Sequence, residues 1–271
     1  MRFRIYLVLI ILVLASSCGE YQKLLKSSDA DLKKEKAKEF YAAGQYVKTT
    51  ELLGQILPRY RATGEAEELN WINAQSYYGM KDYYMAGSYF KAFVDQFPFG
   101  VHAEEAHFLV AMCDYKISPR AELDQENTKN SLEEFNLFIN RYAYSPRVEE
   151  CKKYIGELQD KLVDKSHNNA KLYYDMKEYK AAVVAINNSL KQYATSNYRE
   201  EMMYLKLNSL YLYASKSMPD KQKIRYQDAL DDYYSFMEEF PKSKYSKNVA
   251  DIFQNTNKFL KKNMPASGVN N

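Results

Sequence analysis

The chain has 271 residues, 46% of them hydrophobic and 27% charged, which is enough apolar material for a folded body. A net charge of +3 is too small to argue for a nucleic acid or an acidic substrate as partner. Only 9 Gly and 7 Pro, beside 26 Tyr, fit a helical protein that uses aromatic rings as packing knobs.

Arg2 and Arg4 precede an apolar run, Ile5 to Ala15, that is too short to span a bilayer. Ala15, Ser16 and Ser17 then lead into Cys18. Residues 1–17 therefore read as a secretory signal peptide. The small-small-Cys ending resembles a bacterial lipobox, which makes Cys18 the lipidated mature N-terminus. Leu14 stands one place further from the cysteine than lipoboxes favour, with Ala15 in the preferred place. The alternatives are an ordinary signal peptide with a chance cysteine and a plain transmembrane anchor. Residues 18–30 form a polar, lipidated linker, with Ser28 or Asp29 to cap the first helix.

From residue 31 the chain repeats. The clearest unit is Asn70 to Gly100, two apolar patterns of helical period around the break Gly79-Met80-Lys81-Asp82, closed by Pro98. With Tyr83 as anchor, the equivalent anchors are Tyr46, Thr128, Tyr179 and Tyr226. Three residues on stand Thr49, Ala86, Ser131, Ala182 and Ala229; seven on stand Leu53, Phe90, Phe135, Ile186 and Tyr233. Fourteen on, every residue is aromatic: Tyr60, Phe97, Tyr142, Tyr193 and Phe240. The column ten on is Ile56, Phe93, Phe138, Ser189 and Phe236, with Ser189 the departure. Paired helices with Ala-x3-Phe and a closing proline match the tetratricopeptide (TPR) pattern. The fold class is thus all-α: a right-handed superhelical solenoid of five helix-turn-helix repeats.

Repeats three and five carry insertions, ISPRAELDQENT and SKSMPDKQKI, which are either docking loops or solvated spacers. Pro146 to Met176 keeps a helical period without a break and predicts one elongated helix between repeats three and four. It divides an N-terminal half, 31–145, from a C-terminal half, 146–262. Ser246 to Lys262 is a capping helix, and 263–271 a disordered tail. Cys113 and Cys151 lie on predicted helices and read as buried thiols, with a disulfide the alternative.

Little in the chain points to catalysis. His102 and His107 are not an H-E-x-x-H pair, and no Walker loop, G-x-S-x-G or dinucleotide fingerprint appears, so no metal or cofactor is expected. The better lead is a tyrosine column, Tyr41, Tyr78, Tyr115, Tyr174 and Tyr211, one in each first helix. In TPR folds this position faces the concave groove, where tyrosines suit either an extended peptide or inter-repeat packing. Repeat geometry nominates Tyr41, Trp71, Gln75, Tyr78, Phe108 and Tyr115 as groove residues.

Taken together, the lipobox, five repeats, insertions in the third and fifth and the elongated helix resemble the BamD family. These are lipoproteins of the outer-membrane β-barrel assembly machinery. The stretch Cys113 to Tyr142, CDYKISPRAELDQENTKNSLEEFNLFINRY, is especially similar to the family's third repeat. The abundance of Tyr, Lys and Asn points to a Bacteroidetes-type source. The resemblance implies a non-enzymatic scaffold on the periplasmic face of the outer membrane, anchored by lipid. It implies a barrel-insertase subunit held by the C-terminal half and unfolded outer-membrane proteins received by the N-terminal half, with other lipoproteins as further partners. Rival readings are a SusD-type glycan-binding lipoprotein, which is usually longer, and a peptidoglycan-linked TPR lipoprotein, which usually adds a coiled coil.

Overall fold

The computed structural model describes residues 19–262; Cys18, the leader and the tail lie outside the described residues. Eleven helices follow one another from residue 30: α1 Ala30–Ala42, α2 Tyr46–Tyr60, α3 Ala66–Gly79, α4 Tyr83–Gln96, α5 Ala103–Ile117 and α6 Glu126–Arg141. Then come α7 Val148–Asp175, α8 Tyr179–Gln192, α9 Arg199–Ser215, α10 Pro219–Glu239 and α11 Ser246–Lys262. No strand occurs among the described residues. Residues 19–26, a polar lead-in by sequence, are also helical, and Tyr21, Leu24 and Leu25 pack on the core of the first repeat.

The helices pair into five TPR-type hairpins, and the sequence columns are their contacts. Thr49, Ala86, Ser131, Ala182 and Ala229 are all fully buried, since only small side chains let the two helices approach closely. Leu53, Phe90, Phe135 and Ile186 fill the space beside them, also fully buried. The aromatic fourteen on closes the second helix: the backbone N–H groups of Phe97, Tyr142, Tyr193 and Phe240 donate to Phe93, Phe138, Ser189 and Phe236. Ser189 is buried like the phenylalanines of its column.

Three hairpins turn in the same way. Gly44, Lys81 and Lys177, each two residues before its anchor tyrosine, have φ of 69°, 62° and 63°. In each turn two carbonyls of the first helix are satisfied: Lys81 N–H donates to Tyr78 O and Asp82 N–H to Tyr77 O, with the same pair at Gly44 and Lys177. This is the Schellman ending of a helix. Repeats three and five, with their insertions, lack it. In repeat three Ser118 Oγ lies 2.6 Å from Thr128 Oγ1, and Thr128 Oγ1 donates to Gln125 Oε1, so the buried Thr128 hydroxyl and the part-buried Ser118 hydroxyl stand where other repeats place the anchor ring. In repeat five the insertion is mostly helix rather than loop. Pro219 opens α10 with a preset φ, and only Lys216, Ser217 and Met218 separate the helices.

The long helix runs from Val148 to Asp175, two residues inside its predicted start, because Pro146 sits in the preceding turn. The chain forms two compact units. One runs to Pro119 and resumes at Gln125–Leu158; the other comprises Arg120–Asp124 and the chain from Gln159 on. In the second unit Lys165 Nζ donates to the Leu123 carbonyl at 2.6 Å, which holds the loop of repeat three against α7. Cys113 and Cys151 are buried free thiols, pushed up to about 12 and about 11 by burial. Among the described residues no helix is long and apolar enough to cross a membrane.

Candidate functional site

The tyrosine column is built into the hairpins. Each first-helix tyrosine meets the anchor ring across its own turn: Tyr41 with Tyr46 at 6.0 Å, Tyr78 with Tyr83 at 5.3 Å, Tyr174 with Tyr179 at 6.2 Å and Tyr211 with Tyr226 at 6.0 Å. Repeat three has Thr128 at the anchor, so Tyr115 turns to Tyr154 at 4.6 Å and donates its hydroxyl to Glu157. Tyr174 is likewise engaged, accepting from Asn208 Nδ2. Tyr41 and Tyr78 make no side-chain hydrogen bond among the described residues. Both are half-buried, and desolvation raises both hydroxyls above the ordinary tyrosine range.

A second column, seven residues before the first, joins each repeat to the next. Its members are Lys34, Trp71, Phe108, His167 and Tyr204, and each meets a residue at or just before the start of the following first helix. Lys34 pairs with Glu65 at 2.9 Å, and Trp71 stacks on His102 at 4.4 Å with planes 3° apart. The Arg147 guanidinium lies 4.2 Å over Phe108, His167 stacks on Tyr198 at 3.9 Å, and Tyr204 stacks on Tyr245 at 4.2 Å. One geometric role is filled by an ion pair, a cation–π contact or a π-stack, each of which holds two flat or charged groups in register. Periodicity placed Trp71 and Phe108 but could not show these clasps. The signal was present in the matching column five residues after the closing aromatic: Glu65, His102, Arg147, Tyr198 and Tyr245.

The six nominated residues thus divide. Phe108 is 4% exposed, between Phe135 and Phe138 under Arg147, and Trp71 spends one ring face on His102 and packs at 5.7 Å on Phe90 and Phe93. Tyr115 is committed to Glu157. Tyr41, Gln75 and Tyr78 keep free polar ends among the described residues. Gln75 and Tyr78 are three apart on α3 and share one face.

Between α4, α5 and α6 lies a polar cleft of about 560 Å³, lined by Tyr83, Tyr84, Lys91, Asp114, Glu126 and Glu134. Burial and the Glu134 charge push the Asp114 carboxyl up to about 6, against the pull of Lys91. Glu134 is held below the usual carboxylate range by His107 and by Lys91, whose Nζ is 3.1 Å away. Among the described residues no group of His, Cys, Asp and Glu is arranged to hold a metal ion.

The model of a family described as outer membrane lipoprotein, YfiO, matches residues 29–181 and again 167–264. No curated protein matches the sequence. Among solved structures, the TPR2AB domain of yeast Sti1 in its pHSP90 complex is 13% identical, with 84% of this chain and 98% of that one covered and a TM-score of 0.37. The TPR domain of P58(IPK) is 13% identical, with 90% and 69% covered and a TM-score of 0.41.

Proposed function

We propose that this chain, which belongs to the YfiO family of outer membrane lipoproteins, is a non-enzymatic scaffold of the β-barrel assembly machinery. It is anchored to the periplasmic face of the outer membrane through a lipidated Cys18. The observation that carries the reading is the family match from residue 29 to residue 264, which takes in all five repeats. In this reading the C-terminal half holds the barrel-insertase subunit. The N-terminal half receives unfolded outer-membrane proteins at the face of Tyr41, Gln75 and Tyr78. An aromatic C-terminal strand of a client needs flat apolar surface with polar groups at its edge. Half-buried tyrosines whose hydroxyls have no partner among the described residues, beside an amide in the same state, have that chemistry.

Two substitutions separate binding from packing. Tyr78→Phe keeps the ring contacts with Tyr83 and Phe90 and removes only the hydroxyl. Gln75→Ala removes an amide with no hydrogen-bond partner among the described residues. Both are expected to leave the stability, measured by thermal melting, within about 0.5 kcal/mol of wild type. Each is expected to weaken a fluorescent client C-terminal peptide by roughly 2- to 10-fold, for the loss of one hydrogen bond of about 0.5–1.5 kcal/mol. Wild-type affinity in both variants would remove this face from the client site.

A further inference from the structure

The helical segment 19–26 runs antiparallel to α1. At its start, the Tyr21 ring lies 5.8 Å from Phe40, its hydroxyl donates to Glu51, and Lys48 Nζ stands 5.3 Å over the ring. Phe40 is in the last turn of α1 and Lys48 in the first turn of α2, so Gly19 emerges at the end of the repeat where α1 turns into α2. Towards the other end, Lys33 Nζ donates to Leu25 O and Arg59 to Ser28 O. Consecutive Cα atoms are about 3.8 Å apart, so a lipid on residue 18 leaves almost no slack between this edge and the bilayer.

The same edge is apolar where the repeat does not require it. Val47 and Tyr84 directly follow their anchor tyrosines and are 63% and 72% exposed. The other three repeats place Lys129, Lys180 and Gln227 there. The two turns abut: a Cβ on Gly79, at the end of α3, would lie 2.4 Å from the Tyr46 ring. Lys48 and Lys81 flank the exposed pair. Tyrosine suits the boundary between headgroup and acyl chain, and lysine reaches lipid phosphates from its own apolar stem.

From this we infer that the edge carrying Val47, Lys48, Lys81 and Tyr84 lies against the phospholipid surface, a statement that rests on the lipidation of Cys18. The rival surface is the opposite edge of the same unit, which is more apolar still. Phe99, Val101 and Tyr144 are each at least 90% exposed there, on turns tied together by Arg141 donating to Pro98 O. Helix α4, 14 residues long, separates Tyr84 from that edge by about 20 Å at about 1.5 Å per residue. A chain tethered at Gly19 presents the first edge to the membrane and turns the second away.

The test uses the full, lipid-modified chain in vesicles of phosphatidylethanolamine and phosphatidylglycerol that carry a nitroxide-labelled phosphatidylcholine. Val47→Cys, Tyr84→Cys, Phe99→Cys and Tyr144→Cys are each labelled with a fluorophore. The buried Cys113 and Cys151 are shielded from the reagent. Fluorescence is expected to be lost from the labels at 47 and 84 and kept at 99 and 144. Quenching at 99 and 144, or at none of the four on vesicle-bound protein, overturns the orientation and leaves the lipid anchor standing. Protein that does not float with the vesicles overturns the anchor and the orientation together.

Discussion

Asp114 is the residue whose protonation the fold alters in the range of mild acid. Burial and the neighbouring Glu134 charge push its carboxyl up to about 6 in the folded chain, from the ordinary 3.8 of an aspartate. Between those values the folded state binds more proton than the unfolded one, so stability from this group rises as pH falls. The penalty is complete above the folded value and gone below the unfolded one. Asp114→Asn keeps the shape and removes the charge. It is expected to melt higher than wild type near pH 7.5, and the advantage is expected to shrink through about pH 6 and vanish near pH 4. Melting curves over that range check it; no advantage at neutral pH, or one that grows in acid, would contradict the cause given. Glu134, held low by His107 and Lys91, acts with the opposite sign and loses its contribution only below the usual carboxylate range. None of this was legible in the sequence, where Asp114 is one carboxylate among 35 acidic residues. The contacts of the nominated residues were half legible. The period marked Tyr78 and Trp71 as equivalent in face, but whether a ring is free depends on partners more than thirty residues away, such as His102 for Trp71.

At the level of the helix and its turn, most of the architecture could be read and the reasons for single residues could not. GMKD was evidently a break. Yet the left-handed residue there is Lys81 and not Gly79, which stays in α3 and leaves room for the Tyr46 ring. A non-glycine residue in that conformation costs about 1–2 kcal/mol. Lys81→Gly and Lys177→Gly are therefore expected to raise stability by about 1 kcal/mol each, after the extra freedom of glycine in the unfolded chain is counted. Gly79→Ala is expected to lose about 1–3 kcal/mol by driving a methyl into the ring. Thermal melts of the three variants check both signs, and a stabilised Gly79→Ala would mean that Tyr46 has room to move. The insertions were visible as breaks in spacing, but not their form. Repeat five spends its extra residues on helix because Pro219 can open one, while repeat three keeps a loop held by Lys165.

For the molecule as a whole, the order of hairpins was legible because each column answers one packing need five times over. Partners were not, because binding surfaces obey no such repetition. The chain forms two compact units, with the long helix divided between them at Leu158 and Gln159. A solenoid couples chiefly neighbouring repeats, so surface changes on one unit should leave the other folded. The most direct test is affinity purification of the lipidated chain from detergent-solubilised outer membranes, with the co-purifying proteins identified by mass spectrometry. A β-barrel protein with periplasmic domains is expected, recovered with wild type and equally with Gln75→Ala and Tyr78→Phe. Recovery of polysaccharide or cell-wall material without such a barrel protein would contradict a role in β-barrel assembly.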